Sequence, residues 1–382
     1  MNNYGSQNRC SLGYLNKTFE TVSKLIVHIA ETEVSEQSGM GRVAWHWKKE
    51  FESRGYEFIH IGPKQVGRVA HPALFPYVAA RFYRQLGRNA DLFIVHEPAS
   101  GVFLSFDIPT VLVSHGVERR AWNLKLQGKD GTTHQLKWRT KLLFPLWRLR
   151  QCDLGLKKAN LLLLLNQEDC NFVQQYYNQD SKHIFLFQNG VYPSDLNETV
   201  QIEQPFTILF MGSWIDRKGV KTLLDTAQIL QKRGLYPNWL LAGTGVDKET
   251  ILSCWSKDLH HYLEIIPKFQ ASEEINLFAR SQIFVLPSFF EGQPLALLQA
   301  MSAGRCCITT NCCGQKDLIR HGYNGLLYEP GDAEKLASLI EECASDSKLR
   351  VTLGRNAKAS VQNRSWKYVS VEVVDRIEAL LN

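Results

Sequence analysis

The sequence predicts an α/β protein built from two doubly wound, Rossmann-like domains that face each other across a cleft. Three observations carry this reading. At roughly 150 residues per domain, 382 residues supply two full cores. A composition of 44% hydrophobic and 21% charged residues with 13 Pro is that of an ordinary globular chain, which excludes disordered, collagenous and coiled-coil classes. Short apolar runs of β type alternate with longer segments of helical period, as in a parallel sheet assembled from βαβ units.

The runs fall into two sets of six. The first comprises 25–30, 57–61, 91–95, 109–113, 160–165 and 183–187; the second comprises 206–211, 238–242, 262–266, 283–287, 305–310 and 325–328. Between them 191–205 is polar and Pro-bearing, as a hinge should be. The expected division is therefore residues 1–189, residues 190–365, and a terminal helix over 366–382. The longest Leu run, 161–165, falls far short of the roughly 20 apolar residues that cross a bilayer, so no transmembrane helix is expected. The first twenty residues lack the apolar centre of a secretory signal, and the nine Cys are irregularly spaced. Both features predict a cytoplasmic chain with reduced thiols.

A net charge of +6 does not call for nucleic acid, and no such partner is expected. The charge is unevenly placed. Residues 119–158 hold eleven Lys/Arg against Asp130 and Asp153, a local balance of +9, interleaved with Trp122, Trp138, Phe144 and Trp147. That composition suits either a peripheral contact with anionic lipid at the inner face of a membrane or a solvated basic face whose aromatics join the core. Pro145 should interrupt any single long amphipathic helix there.

The most informative stretch is PSFFEGQPLALLQAMSAG, 287–304. A strand ends, a loop carries Glu291 and Gly292, and Pro294 takes a first helical position before an apolar helix closing at Gly304. The stretch from Gly292 through Gln293 and Pro294 to Leu295 offers a diphosphate site at a helix N-terminus, with free N–H groups on its residues other than Pro294. Gly292 would let a ligand approach the backbone, and Glu291 and Gln299 could accept hydrogen bonds from sugar and ribose hydroxyls. The same segment also reads as a plain strand–loop–helix crossover with Glu291 facing the helix dipole.

This stretch resembles the donor-binding signature of family 4 of the retaining glycosyltransferases, two Glu eight positions apart. In register with it stand FMGSWIDRKGV (210–220), LLAGTG (240–245), NCCGQKDLI (311–319), HGYNGLLYEPGD (321–332) and QNGV (188–191), over about 145 residues. The resemblance implies the GT-B arrangement, with the last helix crossing back to the first domain. It implies a nucleotide diphosphate sugar as donor, no cofactor, no metal, and a glycan or lipid-linked acceptor, as in envelope or exopolysaccharide synthesis. It assigns Lys218 and Arg217 to the diphosphate, Glu291 to the donor sugar and Gln299 to the ribose. The chain departs from the family twice: Gln299 replaces the second Glu, and Ser213 stands where an Arg is common. A neutral amide still accepts a hydrogen bond, though a weaker one.

In the first half, Gly39-Met40-Gly41-Arg42-Val43-Ala44 fits the dinucleotide fingerprint formally, but the preceding loop is too long for its tight turn. The resemblance instead gives Gly39 and Gly41 to a loop over the donor, ahead of a helix beginning near Val43. SHGVERR (114–120) follows a strand at its carboxyl end. The resemblance makes His115 the contact to the transferred sugar, and Glu118, Arg119 and Arg120 are candidates for the acceptor side. A lone His is more often a structural hydrogen-bonder, and Glu118, Arg119 and Arg120 fit an exposed salt-bridged turn equally well. Adjacent Cys306 and Cys307 point to opposite faces of a strand and no Asp-x-Asp occurs, so neither pattern offers a metal site. Metal-free transfer would then rest on Lys218, Arg217 and helix amides to neutralise the leaving diphosphate. A nucleotide-sugar epimerase or hydrolase on the same fold, and a non-enzymatic nucleotide-sugar sensor, are the alternatives.

Overall fold

In a computed structural model, residues 23–37, 39–132, 136–194, 196 and 206–381 are described. The start of the chain and most of the hinge segment lie outside them. Twelve strands form where the twelve apolar runs stand: β1 Leu25–Ile29, β2 Glu57–Ile61, β3 Leu92–His96, β4 Thr110–Val113, β5 Leu161–Leu164 and β6 Ile184–Leu186, then β7 Thr207–Met211, β8 Asn238–Ala242, β9 Leu263–Ile266, β10 Ile283–Leu286, β11 Cys306–Thr310 and β12 Leu326–Tyr328. They make two parallel six-stranded sheets, ordered β2-β1-β3-β4-β5-β6 and β12-β11-β10-β7-β8-β9. Their central strands are buried along their whole length, because helices cover both faces of a parallel sheet. Cys306 and Cys307 illustrate this: one packs into the core on one face of β11, the other into the core on the opposite face. In both sheets the order reverses beside the central strand, which opens a crevice at the carboxyl ends.

The end of the chain ties the halves together. Helix Ser347–Val361 packs on the second domain through Ala357 and Val361. Helix Trp366–Glu378 instead places Trp366, Val369, Val373 and Ile377 in the core of the first, with Trp47 and Phe51 of helix Gly39–Ser53. Trp366 stacks on His46 at 4.4 Å, and Arg54 reaches Asp375 and Glu378 at 2.6 Å each. Gly190 is required at the crossing, since a Cβ there would stand 2.6 Å from the Trp366 Cα.

Two local expectations need correction. Pro145 does not end the helical path: Trp138–Phe144 continues through a π turn at Pro145–Leu149 into Arg150–Lys158. Widening the turn accommodates the ring and the missing N–H. The helix expected near Val43 begins at Gly39, so Gly39 and Gly41 lie in its first turn and not in a loop. Among the described residues, no helix is long and apolar enough to cross a membrane.

Candidate functional site

Two loops of the second domain build one half of the site. After β7, a tight turn Asp216–Lys218 is closed by Gly219 at φ 73°, where a Cβ would collide with the Pro287 carbonyl at 1.9 Å. After β10, the Phe289 amide donates to the Arg217 carbonyl at 2.9 Å. The interlocked loops bring Lys218 Nζ to 2.5 Å from Glu291 Oε1, and the Arg217 guanidinium to 3.5 Å from Oε2. Burial alone would push the Glu291 carboxyl up, but the two cations outweigh it and hold it below the usual Glu range. Helix Leu295–Ser302 follows, with Pro294 as its cap residue and not its first turn. Proline's missing N–H leaves nothing unsatisfied there. Gln299, one turn in, is buried, and its Nε2 has no partner among the described residues.

The first domain supplies the other half through β3, β4 and the loops that follow. His115 is half-buried, its Nε2 is withdrawn from solvent and unpartnered among the described residues, and desolvation pulls its imidazole down to about 4. Its loop is pinned at both ends by one buried carboxylate. Glu97 accepts from the Ser114 hydroxyl at 2.6 Å and from the Glu118 amide at 2.9 Å. Burial first, and then the charge of Glu118, lift Glu97 to about 8. Arg148 bridges Glu31 at 3.0 Å and Glu118 at 2.9 Å. A cavity is lined by His96, Glu97, His115 and Glu118 from this domain and by Arg217 and Phe290 from the other. A second cavity shares Glu118, Arg217 and Phe290 and extends to Trp122, Lys125 and Phe144.

The structure thus joins Glu291 and Lys218 to Arg217, which lines a cavity with His115 and Glu118, and sets other expected residues elsewhere. Arg119 is bound to Asp153, and Arg120 to Glu168 and Asp169 with the Cys313 thiol at 3.4 Å; neither lines these two cavities. Successive helical residues are turned by about 100°, so the three side chains of 118–120 cannot share one direction. Gly292 packs closely against the first domain: a Cβ would stand 2.2 Å from the His115 carbonyl, and its own carbonyl accepts from Asn166 at 3.2 Å. Gln293 is a tie to the hinge, accepting from the Asn189 amide at 2.7 Å. Gly39 faces Leu295 across the cleft, a Cβ there lying 4.0 Å from its Cδ1. His96, Glu97 and Arg148 were missed by the sequence reading. His96 closes strand β3 and Glu97 follows it at the carboxyl end, the same position that drew attention to His115, whereas Arg148 carries no local signal.

Two doubly wound domains joined by a returning C-terminal helix, with basic and acidic loops facing a histidine across the cleft, define the GT-B class. Residues 193–360 match the family model "Glycosyl transferases group 1". Among curated relatives, an N,N'-diacetylbacillosaminyl-diphospho-undecaprenol alpha-1,3-N-acetylgalactosaminyltransferase of Campylobacter jejuni is 26% identical, covering 53% of this chain and 56% of its own. The amylovoran biosynthesis glycosyltransferase AmsK of Erwinia amylovora is 24% identical over 84% of this chain and 77% of its own. The chain spans about half the length of the first curated relatives it matches. WaaG, a glycosyltransferase involved in lipopolysaccharide biosynthesis, superposes with a TM-score of 0.76 at 15% identity over 92% of this chain and 98% of that one. HepE of Anabaena, in complex with UDP and glucose, superposes with 0.67 at 16% identity over 93% and 100%. These likenesses concern the fold.

Proposed function

We propose that the chain is a retaining, metal-independent glycosyltransferase that moves a sugar from a nucleotide diphosphate sugar to a hydroxyl of a glycan or lipid-linked acceptor. The observation that carries the reading is the Glu291–Lys218–Arg217 cluster, whose Arg217 lines, with His115, a cavity that both domains share. Lys218 and Arg217 would neutralise the leaving diphosphate, together with the free amides at the start of helix Leu295–Ser302. Glu291, held ionised, would accept from sugar hydroxyls; Gln299 would meet the ribose through its unpartnered amide; His115, held neutral, would meet the sugar from the opposite domain. No protein nucleophile is assigned, so the protein's work is orientation and electrostatics.

The printed names of relatives from Campylobacter jejuni and Escherichia coli, both acting on diphospho-undecaprenol substrates, support a lipid-linked acceptor. So does the surface of 138–147. Trp138, Leu142, Leu143, Leu146 and Trp147 are exposed beside Lys137, Arg139 and Lys141, as a chain resting on anionic lipid would require. Screening nucleotide sugars for thermal stabilisation identifies the donor, since a ligand at about 100 times its dissociation constant adds roughly 2.7 kcal/mol. Turnover of that donor is then followed by NMR of the product anomer, with and without chelator. Inversion of the anomeric centre, or activity lost in chelator and restored by magnesium, would overturn the respective part of the reading.

A further inference from the structure

Three histidines lie in a row across the first sheet. His28 on β1 pairs in register with His60 on β2, and His96 closes β3 two residues past Ile94, the register partner of His28. Residues two apart share a sheet face, so all three rings lie on one side. His28 is fully buried, and both its nitrogens are engaged by other imidazoles: Nδ1 stands 2.9 Å from His60 Nδ1, and Nε2 stands 3.1 Å from His96 Nε2. Phe58 stacks on its ring at 5.6 Å. His60 Nε2 stands 3.9 Å from the Glu33 carboxylate and has no hydrogen-bond partner among the described residues. His96 lines the cavity, with its ring 5.0 Å from that of His115.

A neutral imidazole carries one N–H and one lone pair. Burial holds His28, His60 and His96 neutral, helped for His28 by His60 and His115 and for His96 by His28 and His115. Glu33 and the backbones of His28 and Thr32 raise His60, against Lys48, which lowers it. His28 must therefore donate through one nitrogen and accept through the other, and fixing any one proton fixes all three. The Glu33 carboxylate selects the direction, because it favours N–H over a lone pair at His60 Nε2. His60 then accepts at Nδ1 from His28 Nδ1–H, and His28 accepts at Nε2 from His96 Nε2–H. His96 is left with Nδ1 unprotonated and without a partner among the described residues.

We infer that Glu33, His60 and His28 form a tautomer chain that presents His96 to the cavity as a hydrogen-bond acceptor for a substrate hydroxyl. Glu33, His60 and His28 are positioning residues, and His96 is the residue that meets the hydroxyl. The hydroxyl ligand rests on the function proposed above; the tautomer order does not. Nothing in the individual segments encodes the row, since its members are 32 and 68 residues apart.

The full chain labelled with 15N-histidine, assigned through His60→Asn and His96→Asn, tests it by long-range proton–nitrogen correlation. The expected pattern is Nδ1–H at His28 and Nε2–H at His60 and His96, with the His28 pattern collapsing to a tautomer average in Glu33→Gln and returning in Glu33→Asp. Nε2–H at His28, or an unchanged pattern in Glu33→Gln, overturns the chain. Adding UDP-glucose should move the His96 Nδ1 resonance, and Glu33→Gln should raise KM several-fold while leaving kcat within about twofold. If UDP-glucose stabilises the protein thermally while His96 Nδ1 stays still, the role of His96 is refuted and the nucleotide-sugar reading stands.

Discussion

Lys218 Nζ lies 2.5 Å from Glu291 Oε1, with both side chains largely withdrawn from solvent and each the other's nearest opposite charge. The contact joins the turn after β7 to the loop after β10, so one ion pair fixes the geometry of both expected donor contacts. Removing one partner leaves a buried charge, which is more damaging than removing both.

Lys218→Ala should lower stability by about 3 kcal/mol and the rate by about a hundredfold, the latter through the lost contact to the leaving group. Adding Glu291→Gln should restore part of the stability and none of the rate. Denaturant melts and steady-state assays separate the two, and a double variant with wild-type turnover would remove both residues from the site.

Gly292→Ala drives a Cβ against the His115 carbonyl, so the two loops must part. Overpacking of this kind costs about 1–3 kcal/mol. Small-angle scattering should show a more open particle, and activity should fall with little loss of nucleotide binding. An unchanged scattering profile and rate would mean that the contact yields freely.

Glu97 binds a proton in the folded protein that the unfolded chain gives up above about 4.5, so stability falls as pH rises from there toward about 8. Glu97→Gln, which cannot ionise, should flatten that alkaline decline and show little benefit at pH 4. Thermal melts across pH 4–9 check the sign. A wild-type curve that is flat over this range would contradict a buried, unpaired carboxyl.

Gln299→Glu supplies an ionised acceptor one turn into the helix after the Glu291 loop, and should tighten nucleotide-sugar binding or leave it unchanged. Calorimetry reads this directly. A hundredfold loss would show that the amide serves another contact.

Trp138→Ser with Leu146→Ser removes two of the most exposed apolar side chains of the 138–147 surface without touching the core. Flotation should show the parent chain on anionic vesicles at low salt and its release at high salt, with the double variant left in solution. Equal recovery of both proteins would place the basic aromatic segment off the membrane.

The strand count and the sheet class were legible because apolar runs of four to six residues, too short for helices and separated by segments of helical period, fit the strands of a parallel sheet. The strand–loop–helix around Glu291 was legible too, since its glycine, proline and apolar helix are local signals. Directions and partners were not. Glu118 enters the cavity while Arg119 and Arg120 pair with Asp153, Glu168 and Asp169, because helical rotation and distant carboxylates decide where each side chain ends. Gly292 packs against the His115 carbonyl because two domains close on each other, and His28 meets His60 and His96 because strand register brings together segments that no local period connects. Composition and periodicity determine which segments become strands and helices; the long-range register of two sheets, and the contact between them, determine which side chains share a site.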